Sequence, residues 1–301
     1  MMGQILPLLS AMRPKQWTKN FVVLLPLAFT INLSWDPGDV DEVLEVVGST
    51  AAAFGLFCLL SSSVYLLNDL VDAERDRLHP RKAERGVASG RLSKWLAGVM
   101  AGLFLGAALP LGFVLESNYA WAQVAYVGIS AIYIIVLRQL VILDVFGIAS
   151  GFIVRAAAGA LVISAEPSPW LYICTGLGAL FIGFAKRRQE LLTLENEGVG
   201  HRASLGSYSI AMLDQMITML MAATLIAYIL YTFSADNLPP NDAMMFTIPF
   251  VVFGIARYFY LIHAKEVGGS PEDILTRDVP ILLTVIGWVA ATLGILWAYR
   301  G

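Results

Sequence analysis

The segment Asn68-Asp69-Leu70-Val71-Asp72-Ala73-Glu74-Arg75-Asp76 places three aspartates at i, i+3 and i+7, directly after an apolar run. On a helix of 3.6 residues per turn their carboxylates fall within about 60° of one another and share one stripe. Carboxylates crowded in this way repel unless a cation lies between them. Hard oxygen ligands at this spacing suit Mg2+, which commonly takes one or two carboxylates and lets substrate phosphates complete its shell. The plainer reading is a solvated helix end whose acids pair with Arg75, Arg77 and Arg81. Against it, Asn68 and Asp69 abut the apolar run, where unpaired acids are costly. A second concentration, Lys186-Arg187-Arg188-Gln189-Glu190, carries the opposite charge. Guanidinium forks and a lysine point charge are the usual phosphate ligands, whereas the plainer reading is a basic anchor at a helix end with Glu190 pairing to Lys186.

The elements that must position these groups follow from composition. The 301 residues are 57% hydrophobic and 14% charged, and the mean hydropathy of +0.70 lies well above that of a water-soluble domain. The chain is expected to be an all-α integral membrane protein. A net charge of −3 argues against a nucleic-acid partner. Cys58 and Cys174 lie inside apolar runs, so neither a disulfide framework nor a metal site is expected from them. The first twenty residues, with Pro7, Pro14 and scattered charge, do not read as a cleavable signal peptide.

Spanning the hydrocarbon takes about 20 apolar residues. Nine such segments are expected, at about Phe21 to Leu33, Gly48 to Leu67, Trp95 to Leu115, Ala120 to Leu137, Leu140 to Ile163, Trp170 to Ala185, Met216 to Phe233, Met244 to Ile262 and Val279 to Tyr299. With nine spans, the amino-terminal segment and the loops after spans 2, 4, 6 and 8 share one side and carry 17 of the 20 Lys and Arg. By the positive-inside rule that side, with the amino terminus, faces the cytoplasm across the cell's inner (plasma) membrane. Its two long segments, about 68–94 and 186–215, are expected to cap one cavity, in a single domain over 1–301. Gly102/Gly106 and Gly147/Gly151 read as close helix contacts. Arg155 lies about 12 residues, or about 18 Å, into the fifth span, where a lone arginine costs about 2.5–3.5 kcal/mol, so it must face the bundle interior or water. Asp144 is on the same helix face. His201 and His263 are read as loop histidines.

Asn68-Asp69-x-x-Asp72-x-x-x-Asp76 at the end of span 2, followed by Arg77-x-His79-Pro80-x-Lys82-x-x-Arg85 and Ala88-Ser-Gly90, resembles the first aspartate-rich motif of the UbiA superfamily of membrane prenyltransferases. The resemblance implies a nine-helix bundle in which Asn68, Asp69, Asp72 and Asp76 hold Mg2+ against a diphosphate, with Lys82 and Arg85 beside it. The family's usual Arg-Pro is Arg85-Gly86 here, which touches loop rigidity more than chemistry. Most of the superfamily carries a second Asp-x-x-x-Asp after span 6, and here that place reads Lys186 to Glu190. A second metal site has been exchanged for fixed positive charge, suited to an anion with more phosphate than one metal neutralises.

Arg13-Pro14-Lys15-Gln16-Trp17-Thr18-Lys19-Asn20, Tyr133 to Asp144 and Gly151-Phe-Ile-Val-Arg155-Ala-Ala-Ala-Gly159 resemble the branch of the superfamily that acts on phosphoribosyl diphosphate. Judged alone, Lys15, Trp17 and Lys19 are ordinary interfacial anchors. The resemblance implies transfer of 5-phosphoribosyl from 5-phosphoribosyl-1-diphosphate to a polyprenyl (decaprenyl) phosphate for arabinan cell-wall synthesis. Asp69, Asp72 and Asp76 would hold the metal. Those three and Lys186 are the catalytic candidates, and Lys15, Lys19, Arg138, Asp144, Arg155, Arg187, Arg188, Glu190 and Arg202 are the remaining substrate-binding candidates. The lipid phosphate is already ionised, so positioning and charge stabilisation would carry most of the rate. The tail would leave between helices into membrane lipid, and a homo-oligomer is compatible with this reading. The alternatives are prenyl transfer from prenyl diphosphate to an aromatic acceptor, and a transporter, which would need more charge at depth than Arg155 alone.

Overall fold

A computed structural model describes residues 2–78, 82–197, 205–265, 274 and 277–300. Among them the chain is helical, and its sole β-type pairing is an isolated bridge between Ile31 and Trp35. The α-helices are α1 (Ile5–Ala11), α2 (Leu25–Phe29), α3 (Val40–Val71), α4 (Ala73–Arg77), α5 (Lys94–Leu115), α6 (Ser117–Ile135), α7 (Leu143–Leu161), α8 (Pro169–Glu197), α9 (Ile210–Ser234), α10 (Ile248–Ala264) and α11 (Val279–Arg300). Among the described residues seven helices are long and apolar enough to cross a membrane: α3, α5, α7, α8, α9, α10 with the turn before it, and α11. The protein is therefore a multi-pass membrane protein.

Two of the expected spans differ from these seven for physical reasons. The 19 residues of α6 reach about 28 Å, but Asn118, Gln123 and the tyrosines at 119, 126 and 133 make it more polar. The segment expected to span from Phe21 to Leu33 is instead a 3-10 stretch, Pro14–Leu24, followed by the five residues of α2. Pro14 and Pro26 sit at the starts of these pieces, where their missing N–H groups are tolerated. Asn20 is buried between them, and its side chain reaches Cys58 Sγ and Ser61 Oγ of α3 at 3.3 Å each.

Packing gives four apolar clusters among the described residues, and two of them flank the α7 helix. One gathers Phe57, Tyr119 and Tyr126 from α3 and α6 beside Val23, and the other gathers Phe181, Phe184, Leu213, Ile217 and Tyr258 from α8, α9 and α10. In lipid such cores are held by close packing and interhelical hydrogen bonds rather than by release of water. Gly159 shows how close: a Cβ there would lie 2.1 Å from the Val23 carbonyl oxygen, so only glycine lets the 3-10 stretch press on α7. Gly147 and Gly151 likewise meet Tyr133 and Tyr126, but Gly102 and Gly106 face open space, against the expectation that they mark a helix contact.

The two capping segments also differ from expectation. The first is the end of α3, then α4, a turn at Lys82–Glu84 and a tight loop before Ser93, whose hydroxyl accepts from Leu96 N to cap α5. The second is largely helix, because α8 runs on through Lys186 to Glu197 and α9 begins at Ile210. Ion pairs gather at one end of the bundle, Arg13 with Asp69, Arg85 with Asp76, Arg138 with Asp72, Arg187 with Asp144 and Arg188 with Asp214, while Arg300 donates to the carbonyls of Phe29, Ile31 and Asn237 at the other.

Candidate active site

A cavity of about 850 Å3 runs along the bundle. Arg13, Gln16, Lys19, Tyr65, Asn68 and Lys186 line its mouth at the charged end, Tyr126, Ser130, Tyr133 and Arg155 line the middle, and Phe29, Trp170, Tyr231 and Trp288 line the far part. Its size and its few convergent polar groups on apolar walls are those of a ligand site.

Asp69, Asp72 and Asp76 are buried at 2%, 9% and 4% exposure and are bound by arginines from other elements, not by Arg75 or Arg77 of their own. Arg13 Nη2 lies 2.5 Å from Asp69 Oδ1 and its guanidinium stands 5.0 Å over the Tyr65 ring. Arg85 Nη1 donates to Asp76 Oδ2 at 2.7 Å and approaches Asp69 Oδ1 at 3.4 Å. Arg138 Nη1 donates to Asp72 Oδ2 at 2.7 Å and Asn68 Oδ1 at 3.3 Å.

The single stripe of three carboxylates does not form. Among the described residues no group of three acidic, histidine or cysteine side chains could share a metal ion. The reason is that α3 ends at Val71 with Asp72 as its cap, so Asp76 lies on a separate short helix. Two pairs of oxygens take its place, Asp69 with Asp76 about one Arg85 nitrogen and Asn68 with Asp72 about one Arg138 nitrogen. Each pair already brackets a cation. A divalent ion that uses one or two such oxygens, with phosphate oxygens completing its shell, fits either pair.

Of the cationic run, Lys186 alone lines the cavity. Arg187 turns away and is sealed against α7, with Nε 2.7 Å from Asp144 Oδ2 in an ion pair whose angle is off that of a hydrogen bond; its Nη1 also meets Glu190. Arg188 Nε lies 2.5 Å from Asp214 Oδ1, which His263 Nε2 also approaches at 3.1 Å, so His263 belongs to an ion-pair cluster and is not a bare loop histidine. Arg187 and Arg188 therefore hold the fold rather than a phosphate, and Asp144 is buried away from the cavity. Lys15 is exposed and off the cavity, Lys82 is half-buried in its turn, and Trp17 donates to Ser62 Oγ at 3.1 Å rather than anchoring at the surface. Arg202, His79, Pro80, Arg81 and His201 lie outside the described residues.

Two residues that contact the candidate carboxylates carry no such signal in the sequence. Arg13 was visible only as part of a basic stretch; it stands in the left-handed region at φ 55° ahead of Pro14, which aims it at Asp69. Tyr208 carried no signal at all. Its hydroxyl donates to Asp144 Oδ1 at 2.8 Å and accepts from Ile142 N at 2.6 Å. Ile142 has φ 69°, a strained conformation for a β-branched residue. Burial, and then its role as donor to Asp144, push the Tyr208 phenol above its ordinary pKa, so it stays a neutral donor. Tyr208 thus ties the second capping segment to the α7 start and to the turn carrying Arg138.

The fold and this site define a polytopic helical bundle whose cavity has a basic mouth, with buried aspartates behind it. The family model for the UbiA prenyltransferase family matches residues 22–190, and the chain belongs to that family. It is similar to a decaprenyl-phosphate phosphoribosyltransferase of Mycolicibacterium smegmatis, with 33% identity over 290 residues, 94% of this chain and 90% of the relative. It is 32% identical to the Mycobacterium tuberculosis protein of that name over 281 residues, 93% of this chain and 91% of the relative. Among solved structures, a UbiA homologue from Archaeoglobus fulgidus bound to GPP and Mg2+ superposes with a TM-score of 0.71 at 17% identity, over 97% of this chain and 99% of that one, and so shares the fold.

Proposed function

We propose that the protein transfers 5-phosphoribosyl from 5-phosphoribosyl-1-diphosphate to a polyprenyl phosphate, decaprenyl phosphate by its relatives, giving the lipid-linked phosphoribose and diphosphate for arabinan cell-wall synthesis. The observation that carries the reading is the cavity mouth: Asn68 lines it, backed by Arg138, which also holds Asp72, and Lys186 lines the same cavity, where a second aspartate motif would bring more negative charge. The names of relatives at 32–33% identity over most of the chain support it. In this reading α6 and the broken amino-terminal segment complete nine spans in a single domain over 1–301. The charged end, with the amino terminus, faces the cytoplasm from the inner (plasma) membrane.

Mg2+, which the solved relative also binds, fits the Asn68/Asp72 or Asp69/Asp76 oxygens. When bound it neutralises the diphosphate as that group leaves. Arg13, Lys19 and Lys186 hold phosphate oxygens at the mouth, and the part-exposed Arg85 exchanges its carboxylates for the ligand. The leaving group departs toward the mouth and the lipid phosphate oxygen attacks the anomeric carbon from the opposite side. It needs no deprotonation, so the chain's work is orientation and exclusion of water.

Incubating purified protein and Mg2+ with radiolabelled phosphoribosyl diphosphate and decaprenyl phosphate should give labelled lipid. No labelled lipid, with turnover of prenyl diphosphate and an aromatic acid instead, would select prenyl transfer.

A further inference from the structure

Arg155 is a buried cation that lines the cavity well below its mouth. Its Nε donates to Asn20 Oδ1 at 2.8 Å, Nη1 to the Gly151 carbonyl at 2.9 Å and Nη2 to Tyr126 Oη at 2.9 Å. The guanidinium also stands 4.5 Å over the Tyr126 ring and 5.6 Å over that of Phe152. These contacts use three of its five N–H donors and supply no full negative charge. Among the described residues Arg155 has no ion-pair partner, whereas Arg138 and Arg187, the other buried arginines, each face a carboxylate. A guanidinium held inside a membrane bundle without a counter-charge is costly and calls for an anion.

Position says which anion. Because its side chain points back along α7, the guanidinium lies at the level of Gly151. There Ile153 packs on Gly176 of α8, ten residues or about 15 Å along that helix from Lys186. The leaving diphosphate, in the function proposed above, occupies the mouth, and displacement at the anomeric carbon requires the nucleophile on the far side of the sugar. Beyond Arg155 comes an apolar belt at Leu25, Pro26, Phe29, Trp170 and Leu171, before the far rim turns polar and acidic at Glu166, Ser168, Asp236 and Asn237. An amphiphile with one anionic head and an isoprenoid tail would therefore place its head on the cationic side of that belt, at Arg155.

We propose that Arg155, oriented by Asn20 and Tyr126, seats the phosphate of the polyprenyl acceptor, and that it does not bind the phosphoribosyl donor. The assignment rests on the proposed function but is tested apart from it, by calorimetric binding of each substrate alone to the full chain in detergent. Arg155→Gln should weaken decaprenyl phosphate binding about 10- to 100-fold, the loss of one charge-assisted contact, with Arg155→Lys recovering part of it. Binding of phosphoribosyl diphosphate with Mg2+, and of uncharged decaprenol, should be unchanged. Should Arg155→Gln fail to fold, Tyr126→Phe, which keeps the ring and removes one anchor, should lower affinity for the lipid phosphate alone. Weakened donor binding with lipid binding intact, or equal loss for decaprenol and its phosphate, overturns the assignment. Failure of the wild-type protein to form labelled lipid would instead count against the proposed function.

Discussion

Asp69 and Asp144 are both buried carboxylates facing arginines near one end of the bundle, yet the arginines differ. Those on Asp69, Arg13 and Arg85, keep 26% and 28% of their side chains exposed, while Arg187, which faces Asp144, keeps 2%. An exposed partner can swing out and leave its carboxylate to another cation. A sealed one cannot, because its departure would strand a charge in a medium that does not solvate it. The first pairing is thus an exchangeable mouth and the second a permanent strut, although both appear in the sequence as charge beside an apolar run.

The comparison breaks first at the acids. Asp69→Ala or Asp72→Ala should cut phosphoribosyl transfer by a factor on the order of 10^3 or more, with the melting temperature nearly unchanged in Asp69→Ala, whose arginines are part-exposed; near-normal rates in either variant would show that these oxygens hold neither metal nor substrate. Arg187→Gln should do the reverse, costing about 3–5 kcal/mol of stability by leaving Asp144 unpaired, where Arg13→Gln should cost far less. Equal losses for the two in chemical denaturation would erase the distinction. Lys186→Ala, on the cavity, should raise KM for the donor about 10- to 100-fold with little change in melting.

Smaller effects sharpen the same contrast. Tyr208→Phe removes the hydroxyl that joins Asp144 to the strained Ile142 and should cost about 1–3 kcal/mol, read as lowered stability. The least is expected at Glu74, whose hydrogen bond to Lys94 and attraction to Arg77 hold its carboxyl below the usual range. Its contribution is present above the ordinary carboxylate pKa and fades as pH falls through the lowered value. Because the groups are exposed and screened, stability curves of Glu74→Gln and wild type should nearly superimpose across that acid range.

Much of this was legible in the sequence. Apolar runs of the right length gave the spans, because the bilayer fixes that length, and the lopsided Lys and Arg marked the end where the charged groups do gather. Arg155 announced itself by its depth. What spacing could not reveal was which charges come from elsewhere in the chain. The helix break at Asp72 turned one expected acidic stripe into two oxygen pairs. The continuation of α8 past Ala185 turned Arg187 and Arg188 away from the cavity and left Lys186 on it. Arg13 and Tyr208 became visible only when tertiary contacts set them against Asp69 and Asp144, partners 56 and 64 residues away.

A structure of the protein with Mg2+ and phosphoribosyl diphosphate bound tests the central claim most directly. The account predicts diphosphate density at the mouth between Asn68 and Lys186, with Arg85 displaced from its carboxylates and the Arg187–Asp144 pair intact. Donor density at the far end beside Asp236 and Asn237, or at the mouth with Arg187 drawn off Asp144, would contradict it.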